Sequence, residues 1–482
     1  MRAIVLIQPR EGVYNKFHSW IPLSLVSISS QLFQEGYRII ILDQRLDSSW
    51  RKTLRRHLRE DPVCVGITSM TGSQILSALE ASQFVKEHGR CPVVWGGVHA
   101  TLFPSQTLND RRIDIVVRGE GERTFYDLVK SLERGKPLDG ISGISFRRDG
   151  ACIENPDRPF ISMDDIPPMD YEMVDIEEYV HPFYGEERAI EIETSRGCPY
   201  NCGFCYNPLY NLRRWRAMSA SRVVSILKDI QSRFKVQAFH IVDDAFFIDR
   251  KRTMQIMEGI LKEGLKTALV FQGATVRDIL RMEPEELSLL ERAGCRMLQF
   301  GVESGSLRVL KLIGKETAVE EVLELNGRLR DYPGIIPYYN FIIGFPTETR
   351  EEALMTANLA WRLLIENPMS LVSPFHHYKQ YPGTPLFDLA LRNGYSTPLS
   401  LEEWGAYDWT SAIPRKGARS HSKLLKNIEV ASIFVDRKID LVTNSLLYKM
   451  VARLYRPMAR FRMGRSFYSL MPEARAFQWV VS

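Results

Sequence analysis

The stretch Thr194-Ser-Arg-Gly-Cys-Pro-Tyr-Asn-Cys-Gly-Phe-Cys-Tyr206 decides how the rest of the chain is read. Cys198, Cys202 and Cys205 fall within one short loop, where three thiolates can hold three irons of a four-iron cluster. Iron–sulfur clusters are usually held by four cysteines. A missing fourth ligand leaves one iron open, the mark of a metal site built for chemistry rather than for structure. The competing reading is a zinc knuckle, which needs a further ligand close by. No other Cys and no His lies within ten residues of the triplet.

The spacing, with aromatic Phe204 just before the last cysteine, resembles the signature loop of radical S-adenosylmethionine (SAM) enzymes. The resemblance implies that the open iron chelates SAM and that the reduced cluster cleaves it to a 5′-deoxyadenosyl radical. Downstream, strand patterns recur at Ala189–Thr194, Ala238–Val242, Ala268–Gln272, Met297–Glu303, Tyr338–Gly344 and Leu371–Tyr378, with helical patterns between them. Six such units predict a partial (β/α)6 barrel of the TIM type, with its functional residues at the carboxyl ends of the strands. In Met297–Ser304 one face carries Gln299, Gly301 and Glu303, and the other Leu298, Phe300 and Val302. That alternation predicts a polar interior.

Gly301-Val-Glu-Ser-Gly305 resembles the family's fourth-strand motif, which implies contact of Glu303 and Ser304 with SAM. Asp243 and Asp244 end the second strand, where the family places a loop for the SAM amine; turn or capping aspartates are the plain alternative. Asp249 reads as the N-cap of the next helix. Gly344, in Asn340-Phe-Ile-Ile-Gly-Phe-Pro-Thr-Glu-Thr349, implies a close approach beside the adenine, with Thr347 capping the following helix. Tyr381-Pro-Gly-Thr-Pro-Leu386 reads as a structural turn. His376 and His377 point to opposite faces of the sixth strand, so that one of them reaches the substrate cavity.

The first 145 residues alternate strand and helix patterns and predict a doubly wound, flavodoxin-like α/β domain. Thr68-Ser69-Met-Thr-Gly72, Gly96-Gly97-Val-His99 and Arg118-Gly119-Glu120-Gly-Glu122 follow three of its strands. They are either ordinary βα turns or a cradle in which glycines admit a large ligand. Together with Ile21-Pro-Leu-Ser-Leu they resemble the cobalamin-binding domain that precedes many radical SAM domains. This implies cobalamin contacts from Ser69, Gly96, Gly97, His99, Gly119 and Glu120. The Asp-x-His-x-x-Gly motif that supplies an axial histidine is absent, since the first strand continues into Gln8-Pro-Arg-Glu-Gly-Val13. Neither His18 nor His99 matches it, so no histidine is expected on cobalt.

At 482 residues two or three domains are expected. The reading is a cobalamin-binding domain over 1–145, a proline-rich linker over 146–187, a radical SAM domain over 188–397 and a helical region over 398–482. Seven cysteines are too few for a disulfide scaffold. Cys64, Cys91, Cys152 and Cys295 read as core residues, and a reducing cytoplasm is expected. Neither a secretory leader nor a membrane span is expected. From Leu441 onward seven Lys and Arg face Glu473 alone, so this tail carries +6 and the first 440 residues sum to −1. Basic residues interleaved with Tyr468, Phe477 and Trp479 suit a docked helical lid or peripheral contact with the inner face of a membrane; no nucleic acid is expected.

The whole is similar to the cobalamin-binding radical SAM family, methyltransferase and cyclase subgroup. The resemblance implies three cofactors (a 4Fe-4S cluster, SAM and cobalamin), an electron donor of flavodoxin or ferredoxin type, and methylation of an unactivated carbon. The deoxyadenosyl radical would take a substrate hydrogen, and methylcobalamin would deliver the methyl group. A hydrophobic small molecule (polycyclic lipid, isoprenoid or tetrapyrrole) is the expected substrate. The alternatives are oxidative cyclisation or rearrangement with the same cofactors, and a cobalamin- or metal-binding regulatory module without turnover.

Overall fold

The computed structural model describes residues 3–11, 19–381, 383–407, 419–443, 445–469 and 471. His18, Trp409, Arg475, Phe477 and Trp479 lie outside the described residues. The chain forms two units: the first runs to Tyr179 and regains the chain from Thr397 to residue 408, and the second begins at Val180.

The first unit is built on strands β1 (Ala3–Gln8), β2 (Arg38–Asp43), β3 (Val65–Thr68), β4 (Val93–Gly96) and β5 (Ile115–Val117), all parallel. Two antiparallel strands, β6 (Ile144–Arg148) and β7 (Ala151–Glu154), complete the order β2-β1-β3-β4-β5-β6-β7. Every residue of β1 is buried, because alternate side chains enter different cores. Ile4 and Leu6 pack with Leu25, Leu32, Phe125 and Leu128 on one face. Val5 and Ile7 pack with Trp50, Leu54, Ile75 and Leu79 on the other. Helices thus cover both faces, as the strand and helix alternation predicts. The direction of winding reverses between β1 and β3, and such switch points are where open α/β sheets bind ligands.

The two units divide the chain at places other than the expected boundaries. Residues 146–179, expected as an ordered linker, are strapped onto the first unit. The β6–β7 hairpin belongs to the first sheet, and buried Arg118 ties it down by donating to the Ile144 carbonyl at 2.9 Å and to Asp157 at 2.8 Å. Further along, Asp170 N donates to Ser30 Oγ at 3.1 Å and Tyr179 Oη to Asp43 at 3.1 Å. Residues 397–407 also join this unit rather than the C-terminal region. Leu401 and Trp404 enter its core, Trp404 Nε1 donates to Gln106 at 2.9 Å, and Glu402 pairs with Arg112. Cys64 and Cys91 are buried as expected, whereas Cys152 on the edge hairpin is exposed.

The second unit opens with the hairpin of β8 (His181–Phe183) and β9 (Glu186–Ile192). A two-residue ribbon, β10 (Ser195–Arg196) with β11 (Arg216–Ala217), brackets the cysteine loop. Then come β12 (Ala238–Ile241), β13 (Ala268–Ala274), β14 (Cys295–Glu303), β15 (Ile336–Ile343), and the short β16 (Leu371–Val372) and β17 (His376–His377). The strands β9-β12-β13-β14-β15-β16 run parallel in that order, and β17 also pairs with β15. This is the expected (β/α)6 half-barrel. Along β15 the alternation is regular: Tyr339, Phe341 and Ile343 are buried, while Tyr338, Asn340 and Ile342 are only half-buried. Three helices, Arg419–Phe434, Lys438–Val442 and Leu446–Gly464, complete the unit. No described helix is long and apolar enough to cross a membrane.

Candidate active site

The cysteine loop leaves the carboxyl end of β9 and is fastened at both ends. Buried Asp243 accepts hydrogen bonds from Thr194 N, Thr194 Oγ1 and Ser195 Oγ, each at 2.6 Å. Arg252 donates to the Thr194 carbonyl at 3.1 Å and to Thr194 Oγ1 at 2.9 Å. Asp244 accepts from Gly197 N at 3.0 Å. Gly197 sits at φ +85°, and a Cβ there would overlap the Arg214 carbonyl oxygen, so only glycine fits. At the far side Gly203 N donates to the Ile313 carbonyl at 2.8 Å, and Leu386 N to the Gly203 carbonyl at 3.0 Å. The turn Tyr381–Leu386 therefore pins the cysteine loop in place. Of the two aspartates at the end of β12, Asp243 holds the strand end, and exposed Asp244 is the one on the loop itself.

Cys198, Cys202 and Cys205 are unpaired and half-buried. Burial pushes the Cys198 thiol up to about 11 and the Cys205 thiol up to about 12, and raises Cys202 as well. A metal binding here must displace protons. The donor set fits iron–sulfur chemistry, since three soft thiolates closely spaced on one loop suit a cluster. Among the described residues no three His, Cys, Asp or Glu side chains surround a single ion. A cubane, which spreads its ligands over separate irons, does not require that.

Phe204 packs edge-on to Phe345, 5.8 Å between ring centres, against the cluster of Val309, Leu310, Ile313 and Leu386. Glu303 ends β14 beyond a register shift against β15 and takes φ +70°. Such strain, of order 1–3 kcal/mol, collects at functional sites. Burial raises the Glu303 carboxyl, and Lys315, 3.4 Å away, opposes the rise. A Cβ on Gly301 would overlap Glu303 Oε1, so glycine makes the room. Ser304 Oγ accepts from Ser306 N at 3.1 Å and lies 3.2 Å from Thr356 Oγ1, which places it on the helix side of the strand end. Gly344 adopts φ +80°; its amide donates to Glu348 and its carbonyl accepts from Tyr395 Oη at 2.6 Å. Burial pushes the Glu348 carboxyl up to about 7.

The residue that the sequence did not reveal is Lys315. Gly314, at φ +67° and directly against the Asn201 carbonyl, lays the following lysine beside the cysteine loop. Its charge acts on both Cys202 and Cys198. Two smaller expectations resolve differently. Thr349, not Thr347, caps the helix Arg350–Glu366, in a reciprocal pair with Glu352. Thr347 instead lies at φ +67°. Asp249 caps its helix as expected, accepting from Arg252 N at 2.9 Å.

The inner wall is polar. Gln299, Gly301, Tyr338 and Asn340 are half-buried on it, while Phe300, Val302, Tyr339 and Phe341 pack behind it. Glu191 and His240 face each other across β9 and β12 at 3.2 Å. His376 is half-buried and kept neutral, burial pulling it down to about 4. Its neighbour His377 is buried, 2.9 Å from Glu429, which also receives Lys426 at 3.0 Å.

In the first unit the strand ends bring the expected cradle residues together. Ser69 Oγ donates to the Gly96 carbonyl at 2.9 Å, and His99 N to the Ser69 carbonyl at 3.1 Å. Gly97, at φ +91°, presses on Ser69, where a Cβ would come within 2.8 Å of its carbonyl. Gly119 N donates to Thr101 Oγ1 at 3.0 Å, and the space a Cβ would take at Gly119 is open. Glu120 follows, half-buried at the head of the helix Gly121–Glu133. His99 is fully buried, with Nδ1 3.0 Å from Thr71 Oγ1 and its ring 5.1 Å from Phe103 and 5.7 Å from Trp404. Burial pulls it down to about 3, so it is a neutral imidazole at physiological pH. Its Nε2 has no partner among the described residues. The close backbone approach and the orphaned buried nitrogen fit a large ligand.

Known proteins bear on both halves. The B12 binding domain family matches residues 16–129, and the radical SAM superfamily matches residues 192–360. An uncharacterized methyltransferase of Pyrococcus horikoshii is 30% identical over 437 residues, 89% of this chain and 92% of that protein. The anaerobic magnesium-protoporphyrin IX monomethyl ester cyclase of Synechocystis is 27% identical over 396 residues, 80% of this chain and 77% of that protein. Among solved structures, the radical SAM methyltransferase TsrM of Kitasatospora setae, with cobalamin and a [4Fe-4S] cluster bound, shares the fold. Its TM-score is 0.72 at 18% identity, over 98% of this chain and 99% of that one.

The chain belongs to the cobalamin-dependent radical SAM family. It is an enzyme whose cofactors are a four-iron four-sulfur cluster, SAM and cobalamin.

Proposed function

We propose that the enzyme methylates an unactivated carbon of a hydrophobic small molecule, and that Cys198, Cys202 and Cys205 hold the cluster with one iron left for SAM. The observation behind this is the three-cysteine loop, fastened by Asp243, Ile313 and Leu386 at the carboxyl end of the first barrel strand. When bound, the cluster and SAM supply the radical and cobalamin carries the methyl group.

The chain's own residues do the holding. Phe204, Glu303 and Gly344 form the SAM side, with Asp243 and Ser304 supporting the strand ends that carry them. Lys315 keeps a positive charge beside the thiolates and a counter-charge on Glu303. The polar wall of Gln299, Tyr338 and Asn340 orients the substrate. Ser69, Gly96, Gly97, His99, Gly119 and Glu120 cradle cobalamin. A one-electron donor of flavodoxin or ferredoxin type reduces the cluster.

The hydrophobic substrate class draws on two supports: the basic, aromatic tail, which suits peripheral contact with a membrane, and the Synechocystis relative, which is named for a tetrapyrrole ester. The same relative favours a second reading, oxidative cyclisation without methyl transfer. The test is the reconstituted, reduced full chain supplied with SAM bearing a deuterated methyl group and with separate lipid, tetrapyrrole and water-soluble extracts. Deuterated methyl in a lipid or tetrapyrrole product is expected. Label confined to a water-soluble product rejects the substrate class, and SAM cleavage without label in any product selects the cyclase reading.

A further inference from the structure

The helix Leu446–Gly464 shows its apolar residues to the outside. Its packed face is made of Ala452, Ala459, Arg462 and Met463. Leu446, Leu447, Met450, Leu454, Met458 and Phe461 stand exposed, Leu447 at 68% and Leu454 at 80%. At about 100° per residue these six fall within one arc of roughly 120°. A contiguous exposed apolar patch of this kind marks an interaction surface, unlike apolar residues scattered singly.

The charge beside the arc indicates the occupant. Between Leu441 and Met471 there are six Lys and Arg and no Asp or Glu. By the same helical geometry, Lys449, Arg453, Arg456 and Arg460 run along one border of the arc. Arg453 and Arg456 share Asp440 at 3.0 and 2.7 Å, and Arg460 lies over the Trp361 ring at 5.1 Å, so these side chains are fixed along that border. Arg465, exposed, adds a further cation directly after the last turn. An apolar stripe bordered by cations on one helix is the chemistry of an anionic lipid interface. A second copy is a poorer occupant, because an antiparallel two-fold pairing of these helices would set the cations against each other.

We propose that Leu446–Gly464 lies in the plane of an anionic membrane, with Leu447, Leu454 and Phe461 in the acyl boundary and the cations at the headgroups. This deepens the proposed substrate class by giving the place where a lipid-soluble molecule is met, but it stands on the helix alone. Its test therefore reads binding rather than turnover.

Flotation of the full chain with phosphatidylcholine vesicles, with and without phosphatidylglycerol, is the experiment. Binding to the anionic vesicles only, weakening as salt shortens the screening length to about 8 Å, is expected. Leu447→Ser with Leu454→Ser should lower vesicle affinity about tenfold with an unchanged melting curve, since both side chains are exposed. Lys449→Gln with Arg465→Gln should flatten the salt dependence. Failure to bind anionic vesicles at low salt overturns the proposal. So does equal binding by the double-serine variant, or a solution dimer that this variant dissolves. A chain that binds vesicles yet modifies only a water-soluble molecule would refute the substrate class and leave the membrane helix standing.

Discussion

Lys315 Nζ stands 3.4 Å from Glu303 Oε1, joining the loop after the helix Leu307–Leu312 to the end of β14 beside the cysteine loop. Lys315→Met leaves Glu303 buried without its counter-charge, at a cost of about 3 kcal/mol. The melting temperature of the second unit should fall by roughly 6–12 °C. In the reconstituted protein the cluster should also become harder to reduce, because a positive charge near its thiolates favours the reduced form. A redox titration followed by electron paramagnetic resonance checks the direction. Lys315→Arg, which keeps the charge, should restore most of the potential.

Asp243 accepts three short hydrogen bonds from two residues of the neighbouring strand end. In Asp243→Asn an amide NH2 replaces one acceptor oxygen and confronts hydroxyl donors. The loss should be about 2–3 kcal/mol. Thermal melts measure it, and iron incorporation should fall with it because the loop's anchor is lost. Asp244→Asn, at an exposed carboxylate, should cost under about 1 kcal/mol.

Glu348 gives a pH dependence. Its folded value of about 7 is above the ordinary carboxyl value of 4.5, because burial disfavours the charged form. The native state therefore holds a proton that the unfolded chain has released. Stability from this group is fully present below about pH 4.5 and is lost as pH rises through about 7. The loss approaches about 3 kcal/mol by pH 8. Glu348→Gln stays uncharged, so its melting temperature relative to the parent should rise between pH 5 and pH 8. A constant difference would show that Glu348 is already ionised in the fold.

His99 is held in a ring of aromatics rather than on an open face. The cobalamin-loaded protein should show no nitrogen superhyperfine splitting from histidine in its Co(II) spectrum. His99→Ala should leave that spectrum unchanged while destabilising the first unit by about 2–4 kcal/mol, through the cavity left beside the stacked Phe103 and Trp404 rings. Histidine splitting that disappears in His99→Ala would make this residue the axial ligand.

The parts legible in the sequence were those written locally. The cysteine spacing and the alternation of Gln299 and Gly301 against Phe300 and Val302 both follow from residues adjacent in the chain. Lys315 escaped because it reaches the loop from more than a hundred residues away, through a left-handed glycine at 314. The hairpin β6–β7 was hidden by the prolines that follow it, and the return of Trp404 to the first unit rests on contacts with residues far away in the chain, its packing and its bond to Gln106. Charge counting found the basic tail. It did not show that Arg456, Arg460 and Arg462 contact Asp440, the Trp361 ring and the Phe467 carbonyl, while Leu447, Leu454, Met458 and Phe461 face outward.

Whether three cysteines hold a four-iron cluster with one iron open to SAM is decided by electron paramagnetic resonance of the reduced, anaerobically reconstituted chain with and without SAM. About four irons per chain and a cluster signal that changes when SAM is added are predicted, with both lost in Cys202→Ala. A cluster signal indifferent to SAM, or one that survives in Cys202→Ala, would refute the three-cysteine site.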